Sequence, residues 1–504
     1  MRFRVRGSTF RVTRPPNPEP RTPNPEPRTN LEPRTLNPGT VREPSTQNPE
    51  PGTAREQYTY SVLAVPGPKQ SILGSLVYLP GRDPIAFFNN LARTYGDIVS
   101  YRMGGDRMFF VNDPQHIKDV LVTNNKSFMK GRGLQRAKRI LGEGLLTSEG
   151  AIHLRQRRLM QPAFHREAVA GYGTAMVTYT DRMRSGWKDG AALDIAAEMN
   201  RLTLSIVGKT LFDADVESQA MEVGEALTGV MDTFWMMMLP FADAIERLPV
   251  PKLRRARMSR VRLDQIIYRM IADRRASGCD HGDLLSMLLK AQDEDDGGVM
   301  TDEQVRDEAM TIFLAGHETT ANALTWLWYL VGSAPDVEAK LHAEVDRVLQ
   351  GRRPAFGDVG SLPYVERVAT EAMRLYPPAW LVGRRALVDY AIGGYTVPAR
   401  SIIIMSPYVI QRDRRYYSEP ERFNPDRWTP EFRAGLPKFA YFPFGGGPRQ
   451  CIGESFAWME LILVVATIAQ QWKLRLVPGH PVATQPLVTL RTKHGMRMTV
   501  EKRA

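Results

Sequence analysis

Residues 444–453 constrain the fold of this chain more than any other segment. They read Phe-Gly-Gly-Gly-Pro-Arg-Gln-Cys-Ile-Gly and lead into an apolar run that continues to about residue 468. A thiol at the N-terminus of such a helix lies at the positive end of the helix dipole, close to unpaired backbone N–H groups, and both favour the thiolate. The other interpretation is that Cys451 is a small buried apolar residue in a loop that precedes a core helix.

The remaining residues of this segment are suited to a large, flat, acidic cofactor. Four glycines, at positions 445, 446, 447 and 453, remove side-chain bulk, so a flat group could lie against the backbone. Arg449, two residues before the cysteine, supplies a cation that suits a carboxylate. A thiolate, a cleared face and a partner for carboxylates together predict a haem seat with a proximal cysteine.

The segment resembles the haem-binding signature of the cytochrome P450 family, aromatic–Gly-x-Gly-x-Arg-x-Cys-x-Gly, and matches it at every specified position. The resemblance implies that Cys451 is the sole protein ligand of the iron of haem b. It also implies that Arg449, Phe444 and Gly453 belong to the haem seat.

Residues 1–57 differ in composition from the rest of the chain. Asn-Pro-Glu-Pro-Arg-Thr occurs at residues 17–22 and again at 24–29, and twelve of the 37 prolines lie in this segment. Because it holds almost no apolar residues it cannot bury a core, and we expect it to be disordered. It is either a dispensable extension or a proline-rich docking tail. Residues 58–504 are expected to form a single domain.

Charge and cysteine content exclude several classes of protein. The formal net charge is +12, but the basic residues are scattered without an aromatic-interleaved patch, so we expect no nucleic-acid partner. With Cys451 as a metal ligand, Cys279 has no partner for a disulfide, which indicates a reducing compartment and a cytoplasmic protein. No apolar stretch of about 20 residues is present, so we expect no transmembrane anchor and a protein that is similar to the soluble bacterial P450s.

The pattern along the chain predicts a mainly α fold with a minor β-sheet region. Residues 98–111 predict two strands around the turn Gly-Gly-Asp at 104–106, and helical patterns dominate from 112 to about 385. Short strands are predicted at 395–398 and 401–405, and further strands after residue 474. The resemblance implies the cytochrome P450 fold, in which a long central helix lies over the haem and the proximal cysteine loop.

Thr301-Asp-Glu-Gln304 is a capping box that predicts the start of this long helix, which should run from residue 302 to 332. Its middle reads Ala315-Gly-His-Glu-Thr-Thr320, and a surface turn is the alternative interpretation. The motif is similar to the family's Ala/Gly-Gly-x-Glu/Asp-Thr segment. The resemblance implies a kinked helix in which Ala315 and Gly316 make room for dioxygen. Thr319 would offer its hydroxyl to dioxygen, and Glu318 would relay protons from solvent.

The resemblance also assigns charged residues outside these two motifs. Glu371 and Arg374, in Glu-Ala-Met-Arg, would form a buried network with Arg422 that supports the fold. His153, Arg157 and Arg384 would contact the haem propionates, with Arg385 left open as an alternative to Arg384. For these propionate contacts, a solvated surface cation is the other interpretation.

The sequence predicts the substrate contacts less specifically than it predicts the haem site. The resemblance places four residues at the substrate pocket: Phe313, Ala379, Trp380 and Leu381. The methionine-rich residues 234–239 predict either a pliable roof over the pocket or a simple apolar helix face. A large apolar pocket suits a lipid, terpenoid, steroid or polyketide.

The function implied by the resemblance is that of a haem-thiolate monooxygenase, which inserts one oxygen atom from O2 into an apolar organic substrate. Electrons would come from NAD(P)H through a ferredoxin or flavodoxin with its reductase, and the enzyme would be a monomer. Basic residues are predicted to line the docking face for this donor: Arg155, Arg158, Arg412, Arg414 and Arg415. The alternatives are a haem-thiolate peroxygenase or isomerase, and a haem-based binding protein without turnover.

Overall fold

The computed structural model describes residues 64–69, 83–213, 226, 229, 250–290 and 299–503. The chain divides into two units, residues 1–60 and 61–504. The first unit lies outside the described residues, and so do residues 234–239, so the predictions made for these segments stay predictions.

Helices dominate the described residues, in agreement with the predicted fold class. They are α1 (Pro84–Tyr95), α2 (Pro114–Lys118), α3 (Arg132–Leu141), α4 (Gly150–Met160), α5 (Arg166–Ser185), α6 (Ile195–Phe212), α7 (Pro251–Ser277), α8 (Leu284–Lys290), α9 (Asp302–Gly332), α10 (Pro335–Leu349), α11 (Pro363–Leu375), α12 (Pro407–Ile410), α13 (Pro430–Gly435) and α14 (Glu454–Ala469). None of the helices in the described ranges is long and apolar enough to cross a membrane.

The strands form small sheets. They are β1 (Ile98–Met103), β2 (Asp106–Val111), β3 (Phe128–Lys130), β4 (Ala192–Asp194), β5 (Val382–Ala386), β6 (Tyr390–Ile392), β7 (Tyr395–Val397), β8 (Ile402–Met405), β9 (Trp472–Leu476), β10 (Thr484–Pro486), β11 (Leu490–Thr492) and β12 (Arg497–Lys502). A five-stranded sheet has the order β1-β2-β8-β5-β3, and a three-stranded sheet the order β4-β12-β9. β10 pairs with β11 and β6 with β7, both antiparallel.

The five-stranded sheet brings distant parts of the chain together. β1 and β2 form the predicted hairpin at residues 98–111. β8 joins β2 in parallel and β5 in antiparallel register. β3 then pairs with β5 so that Lys130 lies opposite Arg384. The sheet therefore places two basic residues, 254 positions apart in sequence, side by side.

The central helix α9 has the predicted bounds. The Thr301 hydroxyl accepts a hydrogen bond from Gln304 N at 3.2 Å, and the Gln304 side chain accepts one from Thr301 N at 3.0 Å, which completes the capping box. Most residues of α9 are buried because α6, α7, α11 and α14 pack around it. Aromatic stacking fixes it further, since Trp326 lies parallel to Tyr376 with ring centroids 4.1 Å apart.

Candidate active site

The cysteine loop is shaped by glycines that allow close packing. Gly445 and Gly447 have positive φ values of 73° and 69°. A Cβ on Gly447 would lie 2.1 Å from the Leu121 carbonyl oxygen, and one on Gly446 would lie 2.6 Å from the Phe439 ring. A Cβ on Gly445 would meet nothing within 4 Å. Only Gly445 therefore borders open space, and the other two let the loop pack against the protein.

Cys451 lies three residues before α14, held by a hydrogen bond from its own N–H to the Phe444 carbonyl oxygen at 3.0 Å. The cysteine is exposed, yet burial raises the pKa of its thiol to about 11. Both observations describe a group on the wall of an enclosed space, accessible from inside but shielded from bulk water. The N–H of Gly453 favours the thiolate, but it does not outweigh desolvation.

The helix end therefore acts in the predicted direction, but it does not by itself stabilise the thiolate against desolvation. The physical reason is that a thiolate in a poorly solvated site needs a nearby full positive charge. A bound metal ion supplies that charge, and a coordinating thiol is deprotonated outright.

The middle of α9 combines one accessible side with buried polar groups. Ala315 is exposed and Thr319 half-buried, within a helix that is otherwise largely buried. The Thr319 hydroxyl donates to the Ala315 carbonyl oxygen at 2.7 Å, so the two residues share one face. The helix is unbroken α through this segment. Gly316 serves packing here, since a Cβ on it would lie 3.0 Å from Val207 Cγ2 on α6.

Glu318 points to the C-terminal strands. It is buried, and its carboxylate accepts hydrogen bonds from Arg491 Nε at 2.7 Å and from the Thr489 hydroxyl. Burial raises the pKa of Glu318, but the hydrogen bond and charge of Arg491 outweigh it and lower that pKa below its ordinary value. Glu318 is therefore an ionised, paired carboxylate. Neither Thr489 nor Arg491 was predicted, because they lie 171 and 173 positions after Glu318 and no local pattern links them to it.

A cluster of cations, one buried and two half-buried, lies beside the cysteine loop. Arg449 donates to the Ser148 carbonyl oxygen at 2.8 Å and pairs with Glu149. Desolvation and the charge of Arg449 lower the pKa of Arg384 to about 10. Desolvation and the charges of Arg449 and Arg384 lower the pKa of Lys130 to about 7. Three cations thus lie close together in a poorly solvated place, and the carboxylate of Glu149, which pairs with Arg449, compensates them only in part.

The structure brings some of the predicted propionate residues together and not others. His153 is buried beside the cluster, and desolvation and Arg449 lower its pKa to about 3, so its imidazole is neutral. Arg384, rather than Arg385, is the β5 arginine near Arg449. Arg157 lies close enough to His153 and Arg449 for its charge to lower their pKa values, and it also donates to the Gln450 carbonyl oxygen at 2.8 Å. Lys130 was missed, because only the β3–β5 pairing reveals it.

The predicted charge network is present, but Arg422 is not its third side chain. Arg374 bonds the fully buried carboxylate of Glu371 at 2.7 Å, and Arg427 Nε donates to the same carboxylate at 2.9 Å. The Arg422 side chain is exposed and pairs with Glu419, and only its backbone carbonyl accepts from Arg374. The prediction of Arg422 is corrected to Arg427, which reaches inward from the 3₁₀ turn that residues 425–427 form.

Two of the four predicted pocket residues are core residues. The Phe313 ring stacks on Phe212 of α6 with centroids 4.2 Å apart. Position 313 is about 200° around the helix from position 315, so the two residues cannot share a face. Trp380 is buried and donates from Nε1 to the Leu487 carbonyl oxygen at 2.9 Å. Ala379 is exposed and Leu381 half-buried, so these two remain candidates for the pocket wall.

Comparisons with known proteins agree with this geometry. Residues 65–497 match the family model described as Cytochrome P450. The chain therefore belongs to the cytochrome P450 family.

Curated and solved cytochromes P450 resemble most of this chain. Cyclooctatin synthase of Streptomyces melanosporofaciens is 40% identical over 427 residues, with 84% of this chain and 93% of that protein covered. Pentalenene oxygenase of Streptomyces avermitilis is 36% identical, with 84% and 94% covered. The crystal structure of the cytochrome P450DA haem domain matches with a TM-score of 0.80 and 28% identity, covering 88% of this chain and 98% of that one. The predicted P450 fold is confirmed, and the chain is a monooxygenase, an oxidoreductase that incorporates molecular oxygen.

The residues present fit the haem that this cytochrome P450 family carries. Cys451 would be the protein ligand of the haem iron. Lys130, Arg384 and Arg449 form a poorly solvated cluster of cations that Glu149 compensates only in part, and the two propionates of haem would neutralise the remaining charge. The donor set therefore suits a flat cofactor with one soft-ligand position and two carboxylates.

Proposed function

We propose that this cytochrome P450 hydroxylates or epoxidises a polycyclic terpenoid, with electrons from NAD(P)H that arrive through a separate ferredoxin or flavodoxin and its reductase. The observation that carries the proposal is the accessible side of α9, where Ala315 and Thr319 face open space from an otherwise buried helix. Two relatives are named for polycyclic terpenoids, pentalenene oxygenase and cyclooctat-9-en-7-ol 5-monooxygenase of Streptomyces melanosporofaciens, the latter 38% identical over 399 residues.

The accessible residues that the sequence predicts at the substrate pocket support an apolar substrate. Ala315 and Ala379 are exposed and Leu381 is half-buried, and none of these side chains can form a hydrogen bond. Glu318, the nearest carboxylate along α9, is held by Arg491 and Thr489. A hydrocarbon substrate would bury apolar surface here at roughly 25 cal/mol per Å² without leaving a polar partner unpaired.

Haem, when bound, supplies the redox chemistry by which one oxygen atom of O2 enters the substrate and the other is reduced to water. The residues of the chain are proposed to donate and take up protons and to exclude water from the site. Thr319 Oγ1 carries a proton that it now donates to the Ala315 carbonyl oxygen, and rotation about χ1 would redirect that proton. Glu318 would take up protons from solvent if it exchanged Arg491 for water, a step that the present ion pair holds back.

The proposed donor site is α4. Arg157 of this helix bonds the Gln450 carbonyl oxygen, one residue from Cys451, so α4 lies against the cysteine loop. Arg155 and Arg158 are on the same helix, and Arg158 is exposed. Acidic ferredoxins and flavodoxins would be attracted to these charges.

Two of the other predicted docking residues are poor candidates. Arg412 stacks on the Tyr408 ring at 3.7 Å and pairs with Glu421 at 3.1 Å. Arg415 pairs with both Asp97 and Asp413. Their charges are compensated locally by these acidic residues. Arg414 is exposed and stays a candidate.

The donor site is tested by the rate at which a ferredoxin reduces the haem, measured against salt. The variant is Arg155→Glu with Arg158→Glu. The control is Lys493→Glu with Arg497→Glu, which changes two exposed residues in the segment from the end of β11 to the start of β12. About 0.5 M salt shortens the Debye length to roughly 4 Å, so wild-type and control rates should fall steeply and the variant should already be slow. Equal rates for all three proteins would contradict the proposal.

The substrate class is tested by a spectral screen followed by turnover. Polycyclic terpene hydrocarbons and alcohols should shift the haem from low to high spin, and steroids and fatty acids of similar size should do so more weakly. Turnover of the best ligand with NADPH, ferredoxin and reductase is then compared with turnover driven by hydrogen peroxide. Product formed only with peroxide would contradict the monooxygenase route, and a preference for fatty acids would contradict the substrate class.

Residues 58–504 are proposed to act as one domain, in a monomeric cytoplasmic enzyme. The central helix α9 packs against elements from both halves of the described chain, α6 and α14 among them, which supports a single unit. Cys279 and Cys451 are both unpaired, as in proteins of a reducing compartment. Equilibrium sedimentation would test the oligomeric state, and a molecular mass above that of one chain would contradict the monomer.

A further inference from the structure

The first half of α7 carries an unusual concentration of positive charge. Residues 251–262 read Pro-Lys-Leu-Arg-Arg-Ala-Arg-Met-Ser-Arg-Val-Arg, with six cations and no acidic residue. Five of these cations are exposed: Lys252, Arg254, Arg255, Arg257 and Arg262. Along the helix the first acidic residue is Asp264, which pairs with Arg306 of α9 and lies 4.0 Å from Arg260. The exposed cations therefore make this half of α7 strongly basic.

Exposed apolar side chains lie among these cations. Met258 is 64% exposed, Val261 55% and Tyr268 43%. Their spacing of three and seven residues places them on one side of the helix. The opposite side of α7 is buried through Leu253, Leu263, Ile267 and Ile271, which attach the helix to the core. The outer face of α7, defined here as Arg254, Arg255 and Arg257 with Met258, Val261 and Tyr268, thus presents large apolar groups and positive charge together.

We propose that the outer face of α7 binds the surface of a membrane that contains anionic phospholipid. At such a surface cations meet the phosphate headgroups, while apolar side chains enter the boundary with the acyl chains. An acidic protein would match the charges equally well. It would have to provide a fitted apolar pocket between its carboxylates for Met258 and Val261, whereas a lipid interface accepts both kinds of group without shape complementarity.

The binding would be peripheral, because no helix in the described ranges could span a bilayer. It would also be reversible and sensitive to salt, since most of the attraction comes from a few cations near a charged surface. This inference does not depend on the proposed substrate, because it concerns the outer face of α7 rather than the accessible side of α9 where the substrate is proposed to bind.

The test is co-sedimentation of the full-length haem-loaded protein with vesicles. One set of vesicles contains phosphatidylcholine only, and the other contains phosphatidylcholine with about one third phosphatidylglycerol. The charge variant is Arg254→Glu, Arg255→Glu, Arg257→Glu. A matched control, Lys493→Glu, Arg497→Glu, Lys502→Glu, makes the same change in net charge at exposed residues on β12 and in the turn before it. A second variant, Met258→Ser with Val261→Ser, removes apolar groups without changing charge.

Wild type and control should bind the anionic vesicles at least about tenfold more tightly than the neutral ones, and the charge variant should lose most of this difference. The serine variant should bind more weakly than wild type and lose its residual binding at lower salt. All variants should keep the wild-type haem spectrum, which shows that they are folded. Equal binding of wild type to both kinds of vesicle would overturn the proposal. So would a charge variant that binds like the control, or a serine variant that binds like wild type, the last result pointing to an acidic protein instead.

Discussion

At the residue scale, the identity of the iron ligand is decided by where the two cysteines lie. Cys451 follows the glycine loop, whereas Cys279 is exposed in the segment after α7. Cys451→His should abolish the red-shifted Soret band of the reduced carbon-monoxide adduct, because that band depends on thiolate ligation. Cys279→Ser should leave it intact. The measurement is the difference spectrum of each variant at equal haem content, and loss of the band in the Cys279 variant would reverse the assignment.

Thr319 and Thr325 provide a matched pair for testing proton management. Both hydroxyls donate to the carbonyl four residues earlier at 2.7 Å, but Thr319 is half-buried on the accessible side and Thr325 is buried. Thr319→Ala should keep haem and substrate affinity and divert reducing equivalents to hydrogen peroxide, with product per NADPH reduced severalfold. Thr325→Ala should lower stability slightly and leave coupling unchanged. Wild-type coupling in Thr319→Ala would remove this hydroxyl from the mechanism.

At the scale of elements, the Glu371 carboxylate connects α11 to the segment after α12. It accepts from Arg374, from Arg427 and from Trp428 Nε1, and all four side chains are buried. Removal of one partner from a buried ion pair costs roughly 3–5 kcal/mol, because a charge is left without compensation.

Arg427→Ala should therefore abolish haem incorporation or lower the melting temperature sharply. Arg422→Ala is the control, and it should behave like wild type because that side chain is exposed. The measurements are the haem-to-protein ratio and the thermal midpoint of both variants. If Arg422→Ala lost more haem or more thermal stability than Arg427→Ala, Arg422 would again be the third member of the Glu371 network.

The contact between α9 and the loop at residues 142–147 predicts a pH dependence. Glu308 of α9 is buried and accepts from Leu145 N at 2.9 Å, and burial raises the pKa of its carboxyl group to about 8. Between the ordinary pKa near 4.5 and about 8 the folded protein holds a proton that the unfolded chain has lost. Stability contributed by this group is therefore complete below the ordinary pKa and is lost as pH rises through about 8.

Glu308→Gln should make stability less dependent on pH in this range, since glutamine keeps the acceptor for Leu145 without titrating. The measurement is the free energy of unfolding in denaturant at pH 5.5 and pH 8. Glu303→Gln, in the exposed first turn of the same helix, is the control and should keep the wild-type slope. If Glu308→Gln kept the wild-type change in the free energy of unfolding between pH 5.5 and pH 8, another group would be responsible for that change.

At the scale of the whole molecule, the family match begins at residue 65, beyond the proline-rich repeat. Deletion of residues 1–57 should leave the melting temperature and the haem content unaltered, because a segment with almost no apolar residues has no core to contribute. A fall of more than a few degrees would show that the segment contacts the folded domain. Calorimetry of the deleted and full-length proteins makes the comparison.

The sequence by itself determined the motifs that are local. The capping box and bounds of α9, the hairpin at residues 98–111, and the cysteine loop all depend on residues close together in the chain, whose spacing directly encodes their geometry. The family resemblance rested on the same local motifs, and residues 65–497 confirm it.

Tertiary structure alone decided the partners that are distant in sequence. Lys130 joins the cationic cluster only because β3 pairs with β5, and Arg491 reaches Glu318 only because the C-terminal strands pack on α9. It also decided the direction of the pKa shift at Cys451. The helix end favours the thiolate, but desolvation by the surrounding chain is the larger effect and raises the pKa of the thiol. Burial and long-range pairing are properties of the assembled fold, so no local pattern could encode them.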